Sequence, residues 1–246
     1  MLLRIGTRGS KLAITQSEWI KGRIVERHPD VEVDLVRIKT KGDKILDSPL
    51  SKIGGKGIFV KEIEAALLKK EVDLAVHSIK DVPAELPEGL CLPIFPERED
   101  PRDAFISKDH KTIEVLPRGS SVGTGSLRRS AQLLHMRPDI NVVSLRGNVD
   151  TRLKRLESGD LQGIILAVAG LKRLGLSDRI SQILSNDDFL PAIGQGALGL
   201  ELRQDDDAVH DLLSFLNHPE EIGVTLAKRL LASGADEILA RFYGKP

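Results

Sequence analysis

Val72–Pro83 reads VDLAVHSIKDVP. An apolar run, Val72 to Val76, leads straight into His77, Ser78, Lys80 and Asp81, and Pro83 stops regular structure. Such a short run bounded by a turn signal reads as a strand buried on both faces. In open α/β sheets, ligands bind beyond the carboxyl ends of the strands. There the sequence places an acid, a base and a hydroxyl, and Asp81 is the candidate reactive carboxylate. Taken alone, a Lys-Asp pair such as Lys80–Asp81 is more often a solvated turn pair. His77 reads as a hydrogen-bonded strand-end residue rather than a ligand or base.

Working outward, LLRIG (Leu2–Gly6) predicts a first strand, and Ser10 is placed to cap a helix over Lys11–Arg27. Leu12, Trp19, Ile20 and Ile24 are expected on its core face. VEVDLVRI (Val31–Ile38) alternates as a strand. Lys39–Gly57 is polar and glycine-rich, the composition of a lid or binding loop. Phe59–Lys70 follows as a helix with Ile63, Leu67 and Leu68 inward. Leu90–Phe95 is a strand candidate inside a proline- and charge-rich crossing segment, Leu86–Arg102. The second half offers strands at Asp103–Ser107, around Val122, at Ile140–Leu145, Gly163–Val168 and Ala197–Leu202. Helices are expected from Ser126 to Met136, over Asn148–Glu157 and over Ala169–Leu174. This alternation argues for α/β architecture with largely parallel sheets. No fixed-period repeat is visible.

The 246 residues carry 36 Lys+Arg against 36 Asp+Glu, so no global field draws the chain to nucleic acid or membrane. Aromatics are 3%, too few for a base-stacking surface. The longest apolar run, Ile164–Ala169, is far short of a membrane span, and the N-terminus lacks a signal-peptide run. One cysteine, Cys91, excludes an internal disulfide and fits a reducing cytosol, hence a cytoplasmic protein.

Four strand-to-helix junctions repeat one chemistry: TRGS (Thr7–Ser10), GTGSLRR (Gly123–Arg129), SLRGNVDTR (Ser144–Arg152) and AGLKR (Ala169–Arg173). Each sets arginine beside small or hydroxyl residues near a helix start, where free N–H groups favour an anion. Arginine adds a planar fork for carboxylate or phosphate. Together they predict a cleft that gathers negative charge, lined by Arg8, Arg128, Arg129, Arg146, Arg152 and Arg173. Arg155 either shares that face or is solvated. Ser10, Thr124 and Ser126 either complete the anion site or cap helices. P-loop and HExxH motifs are absent, and the histidines lack metal-ligand spacing.

RIGTRGSKLA, GGKGIFVKEIE, DLAVHSIKDVP, EREDPRDAF, GTGSLRRSAQL, SLRGNVDTRL, ILAVAGLKRLG and LPAIGQGALGLE resemble, in order, the porphobilinogen deaminase (hydroxymethylbilane synthase) family. The resemblance runs from Leu3 to about Pro219. It implies two periplasmic-binding-protein-like α/β domains with a cleft between them: domain 1 over 1–96 and 197–218, domain 2 over 97–196. It implies the head-to-tail joining of four porphobilinogen units with loss of ammonia, giving hydroxymethylbilane for haem and related pigments. It implies a dipyrromethane cofactor, held in the family by a cysteine thioether. Asp81 resembles the family's catalytic aspartate. Lys80, Arg8, Ser10, Thr124, Ser126, Arg128, Arg129, Arg146, Arg152 and Arg173 fall at cofactor- or substrate-binding positions. Lys52, Lys56 and Phe59 fall in or beside a loop over the cleft. The partners implied are porphobilinogen and linear pyrrole chains, bound by a monomer.

The pattern departs after Leu216–Pro219. The cofactor cysteine's Gly-Gly-Cys setting is absent, and the chain passes to GVTLAKRLLASGADEILARFY (Gly223–Tyr243), which resembles the family's last helix. Residues 219–246 are therefore expected to be the remnant of a lost third domain, with Leu226, Leu230, Leu231, Ile238 and Leu239 as an apolar stripe. Cys91 lies in a strand candidate, where the family does not attach its cofactor. The expectation is weak or no turnover unless the cofactor is held noncovalently; the alternative is a shortened homologue that binds a carboxylated pyrrole ligand without turnover.

Overall fold

The structure is a computed structural model and describes residues 1–40, 60–109 and 111–218. Most of the Lys39–Gly57 loop, Lys52, Lys56, Phe59 and the C-terminal stripe lie outside these residues. In chain order the elements are β1 (Leu2–Arg8), α1 (Lys11–Arg27), β2 (Glu32–Ile38), α2 (Lys61–Leu68), β3 (Leu74–Ser78), β4 (Leu90–Ile94) and β5 (Asp103–Ile106). There follow β6 (Ser121–Thr124), α3 (Leu127–Met136), β7 (Asn141–Ser144), α4 (Val149–Glu157), β8 (Gly163–Ala167), α5 (Val168–Arg173), β9 (Gln182–Ile183), β10 (Leu198–Arg203) and α6 (Asp207–Leu213).

Among the described residues, ten strands form two sheets of five, in the orders β2-β1-β3-β10-β4 and β7-β6-β8-β5-β9. In each, the first three strands run parallel and one reversed strand, β10 or β5, is inserted before the edge. The sheets are therefore mixed, not largely parallel. The reversed strands follow long crossings between the two units, which deliver the chain from the opposite side. The two units share one topology although the sequence shows no repeat. Side-chain periodicity reports burial, and different residues can meet the same burial.

Each sheet is covered on both faces. In the first, Leu3, Ile5, Leu74, Val76 and Leu200 pack on Ile20 and Ile24 of α1. Ile63 and Leu67 of α2 pack with Val72 and Ala75 on the other face. The second sheet likewise divides its core between clusters around Leu166 and Phe105. Trp19 and Leu68, expected inward, are 45% and 48% exposed. The core face of α1 instead runs through Gln16, Ser17, Ile20 and Ile24, one position round the helix. Buried Gln16 is possible there because its Nε2 donates to Ser78 Oγ at 3.1 Å.

Polar side chains fasten the first sheet to its helices. Arg203 ends β10, is 8% exposed, and donates to the carbonyls of Leu67 at 3.1 Å and Val72 at 2.7 Å. Its other nitrogen reaches Asp73 and Asp206. Those carbonyls end α2 and begin the approach to β3, so one guanidinium satisfies acceptors that burial would leave unpaired. Arg203→Met keeps much of the bulk but removes the donor of the Val72 carbonyl, while Asp73 keeps Arg4 and the Leu67 carbonyl keeps the Lys70 N–H. We expect a loss of about 1–3 kcal/mol, read as a lower urea midpoint at unchanged m-value.

Candidate functional site

The decisive stretch folds largely as expected, two residues later than its apolar run begins. β3 includes His77 because His77 is buried and its Nε2 meets Glu201 Oε2 of β10 at 2.8 Å. After Ser78 a single tight turn, Ile79–Asp81, reverses the backbone. Ile79 N–H donates to the Ala197 carbonyl at 3.1 Å, tying this turn to the start of β10. Ile79 fits because Gly194 and Gly199 face it: a Cβ on either would lie 2.4 or 2.3 Å from its side chain. The IGQGALG run is thus shaped to seat the turn that presents Lys80 and Asp81.

Asp81 is exposed rather than set on a dry floor. It is still within electrostatic reach of Lys80 and Arg152, whose charged forms it supports. Lys80 is accessible to solvent yet enclosed on several sides, as a side chain lining an open cleft is. Its ammonium is pulled down to about 8, first by loss of water and then by the Arg129 guanidinium, with Asp81 and Asp103 opposing. Arg152 is pulled down to about 10 by burial, Arg129 and Arg146. Arg129 thus lowers both Lys80 and Arg152, and Arg152 lowers Lys80 further.

Two residues that the sequence reading passed over organise this group. Asp103 opens β5 and is fully buried. Its Oδ1 accepts from Arg129 Nη2 at 2.6 Å and its Oδ2 from Arg128 Nη2 at 2.7 Å. Gln195 Nε2 donates to Asp103 Oδ1 at 2.8 Å and to the Pro101 carbonyl at 2.7 Å. Gln195 Oε1 accepts from Lys80 Nζ at 3.4 Å and from Arg129 Nη2 at 3.3 Å. Gln195 therefore joins the turn after β3 to the second sheet. The signals were present: an acid opening the apolar strand DAFI, and a carboxamide between two glycines.

The remaining candidates fall into distinct places. Ser10 and Ser126 cap α1 and α3, accepting from the N–H of Ala13 at 3.3 Å and Arg129 at 3.4 Å. Thr124 is buried and accepts from the Ser126 N–H at 3.2 Å. The hydroxyls thus serve the backbone that presents the arginines. Arg128 also donates to the Leu190 carbonyl. Arg152 Nε donates to the Gly147 carbonyl at 2.9 Å, and Arg173 Nη2 to the Gly196 carbonyl at 2.7 Å. Burial pushes the Arg173 guanidinium down, against the pull of Glu99. Arg8 ends β1 and Arg146 follows β7, both half-buried. Arg155 is exposed and pairs with Asp160 at 3.6 Å, the solvated reading.

Cys91 lies elsewhere. It sits on β4 opposite Leu202, whereas Ser78 sits opposite Leu198. Four residues of β10 separate those rows, roughly 13 Å at 3.3 Å per residue. Its S–H donates to the Leu202 carbonyl at 3.7 Å, and burial pushes the thiol up, against forming the reactive thiolate.

The Lys80 environment fixes a sign. A lysine whose folded pKa lies below its ordinary 10.5 binds fewer protons in the folded than in the unfolded chain between about 8 and 10.5. Stability therefore gains from Lys80 as pH rises through that window, and carries the full cost of its charge below it. Urea midpoints of wild type and Lys80→Met should diverge below pH 8 with the variant more stable, and converge toward pH 10.5. Parallel curves over the whole range would contradict a cation-crowded site.

A family profile described as "Porphobilinogen deaminase, dipyromethane cofactor binding domain" matches residues 3–211. A porphobilinogen deaminase of Nitratidesulfovibrio vulgaris is 58% identical over 231 residues, covering 94% of this chain and 73% of the relative. One from Geobacter sulfurreducens is 57% identical over 229 residues, covering 93% and 72%. Solved structures show the fold at low identity. The methionine-binding protein MetQ aligns with a TM-score of 0.55 at 15% identity, covering 87% of this chain and 88% of that one. A periplasmic substrate-binding protein of a Coxiella burnetii ABC transporter gives 0.54 at 14%, covering 94% and 98%. The two α/β units are thus of the periplasmic-binding-protein kind. The chain belongs to the porphobilinogen deaminase family, transferases of tetrapyrrole and haem biosynthesis that work with a dipyrromethane cofactor.

Proposed function

We propose that this chain is a hydroxymethylbilane synthase, joining porphobilinogen units head to tail with release of ammonia, and that Asp81 is its catalytic carboxylate. The observation that carries this reading is the cation group of Lys80, Arg129 and Arg152, with Asp81 in electrostatic reach of Lys80 and Arg152. Each porphobilinogen ring bears an acetate and a propionate. A growing chain is therefore a string of carboxylates, and an arginine-lined cleft suits it. The named relatives favour the enzyme over a binding protein without turnover. The domain limits we propose are 1–96 with 197–218, and 97–196, in line with the strand membership of the two sheets. We place the work in a reducing cytosol, carried out by a monomer. No helix among the described residues is long and apolar enough to cross a membrane.

The donor set fits a carboxylated cofactor. Lys80, Arg128, Arg129, Arg146, Arg152 and Arg173 would hold it through its side-chain carboxylates, with Arg8 at the end of β1. When bound, a dipyrromethane supplies the anchored pyrrole end to which new rings are joined. Cys91 does not fit as its covalent tether, lying at the other end of the sheet with a raised thiol, whereas the described cations offer retention by ion pairs.

Asp81 is exposed, within electrostatic reach of Lys80 and Arg152. Its carboxylate accepts a hydrogen bond from the substrate's protonated aminomethyl nitrogen; the C–N bond breaks with its electron pair leaving on ammonia, a pyrrole α-carbon bonds to the methylene carbon left behind, and the proton that α-carbon sheds is taken up by the carboxylate. It also stabilises positive charge on the pyrrole as that nitrogen leaves. Lys80 and Arg152 orient the ring by its carboxylates, which converts an encounter into a positioned reaction. Gln195 keeps Lys80 in register with Arg129 across the two units.

Asp81→Ala should lower the rate of porphobilinogen consumption by at least about a hundredfold while retaining carboxylate binding, measured by calorimetry. Near-normal turnover in that variant sinks the assignment. Cys91→Ser should leave activity unchanged, and mass spectrometry of the purified wild type should show no pyrrole adduct on Cys91.

A further inference from the structure

Trp19 on α1 is a large aromatic side chain left 45% exposed. It lines a groove of about 230 Å³ with Arg23, Pro96, Glu97, Phe215 and Leu216. That volume falls below the range typical of small-molecule pockets and suits a few inserted side chains. Phe215 is held from behind, its ring edge-on to His28 at 5.4 Å. The groove is therefore a formed surface, with Arg23 and Glu97 as charged rims.

The described chain leaves through this same groove. His218 is one of its lining residues. Its N–H donates to the Phe95 carbonyl at 2.7 Å, and Phe95 N–H donates to Asn217 Oδ1 at 3.0 Å. The exit point is thus pinned against the groove wall. Beyond it lie 219–246, in which Leu226, Leu230, Leu231, Ile238 and Leu239 recur at the spacing of an apolar helix face. Leu226 is eight residues past His218, so it stays within about 29 Å of it even fully extended. Lys228, Arg229, Asp236 and Glu237 bring both signs of charge to match Arg23 and Glu97.

We propose that this groove seats the chain's own C-terminal stretch, Gly223–Tyr243, through the Leu226–Leu231 end of its apolar stripe. A short tether gives the segment an effective concentration in the millimolar range. It therefore outcompetes a second copy or a foreign peptide of similar chemistry. The contact gives the stripe an apolar partner and covers Trp19. It is independent of catalysis, since the groove lies on α1 and after α6, apart from the turn that carries Asp81.

The chain contains one tryptophan, so Trp19 reports on its own environment. In the full-length protein, Leu226→Asp with Leu230→Asp should shift Trp19 emission to the red and raise its acrylamide quenching about twofold. Emission and quenching equal to wild type would overturn the proposal. A second experiment does not depend on that variant. In a full-length Cys91→Ser background, Trp19→Cys with Leu230→Cys should be joined by a short bismaleimide within one chain. Trp19→Cys with Arg229→Cys, on the polar side of the stripe, should be joined several-fold less. Equal joining of both pairs, or joining only between chains with a dependence on concentration, would overturn it, the latter in favour of a second copy.

Discussion

A carboxylate without exposed surface governs the described site. Asp103 carries Arg128 on one oxygen and Arg129 and Gln195 on the other. Burying a charge is costly unless every lone pair finds a donor, and here donors come from α3 and from the segment before β10. Its position at the head of β5 matters as much as its charge. β5 is the reversed strand of the second sheet, so its first residue meets the carboxyl ends of the parallel strands. That is also where the helix starts bearing the arginines lie.

Through Gln195 this arrangement extends to the other unit. One carboxamide donates to Asp103 and accepts from both Arg129 and Lys80. The two units are further linked where Gly196 adopts φ +87°, with the Glu99 carbonyl in the space a Cβ would occupy. Two crossing segments thus lie flush at this point, and Arg173 closes over the Gly196 carbonyl. Lys80 and Arg152 lie within reach of the Arg129 charge, which lowers both. The site is cationic by local arrangement in a protein of zero net charge.

Much of the local structure was legible because it rests on local rules. Ser10, Ser126 and Asn148 mark the helix starts they were expected to mark, since a cap needs only a neighbouring N–H. The strand before Asp81 was visible as an apolar run ended by polar residues and proline. Trp19 and Leu68 misled for the opposite reason: apolar character is not burial. Gln16 displaced Trp19 from the core face because a partner, Ser78, was available from a strand remote in sequence.

The sequence by itself determined the class of fold, the ends of the helices, the turn carrying Lys80 and Asp81, and the family. Spacing and residue type encode these, and the relevant interactions span a few residues. Tertiary structure alone decided that β10 and β5 run backwards, that Arg128 and Arg129 are partly neutralised by Asp103, and that Cys91 sits at the wrong end of its sheet. These facts depend on which distant segments meet, and pairing across some ninety residues leaves no period for a reader of the chain to find.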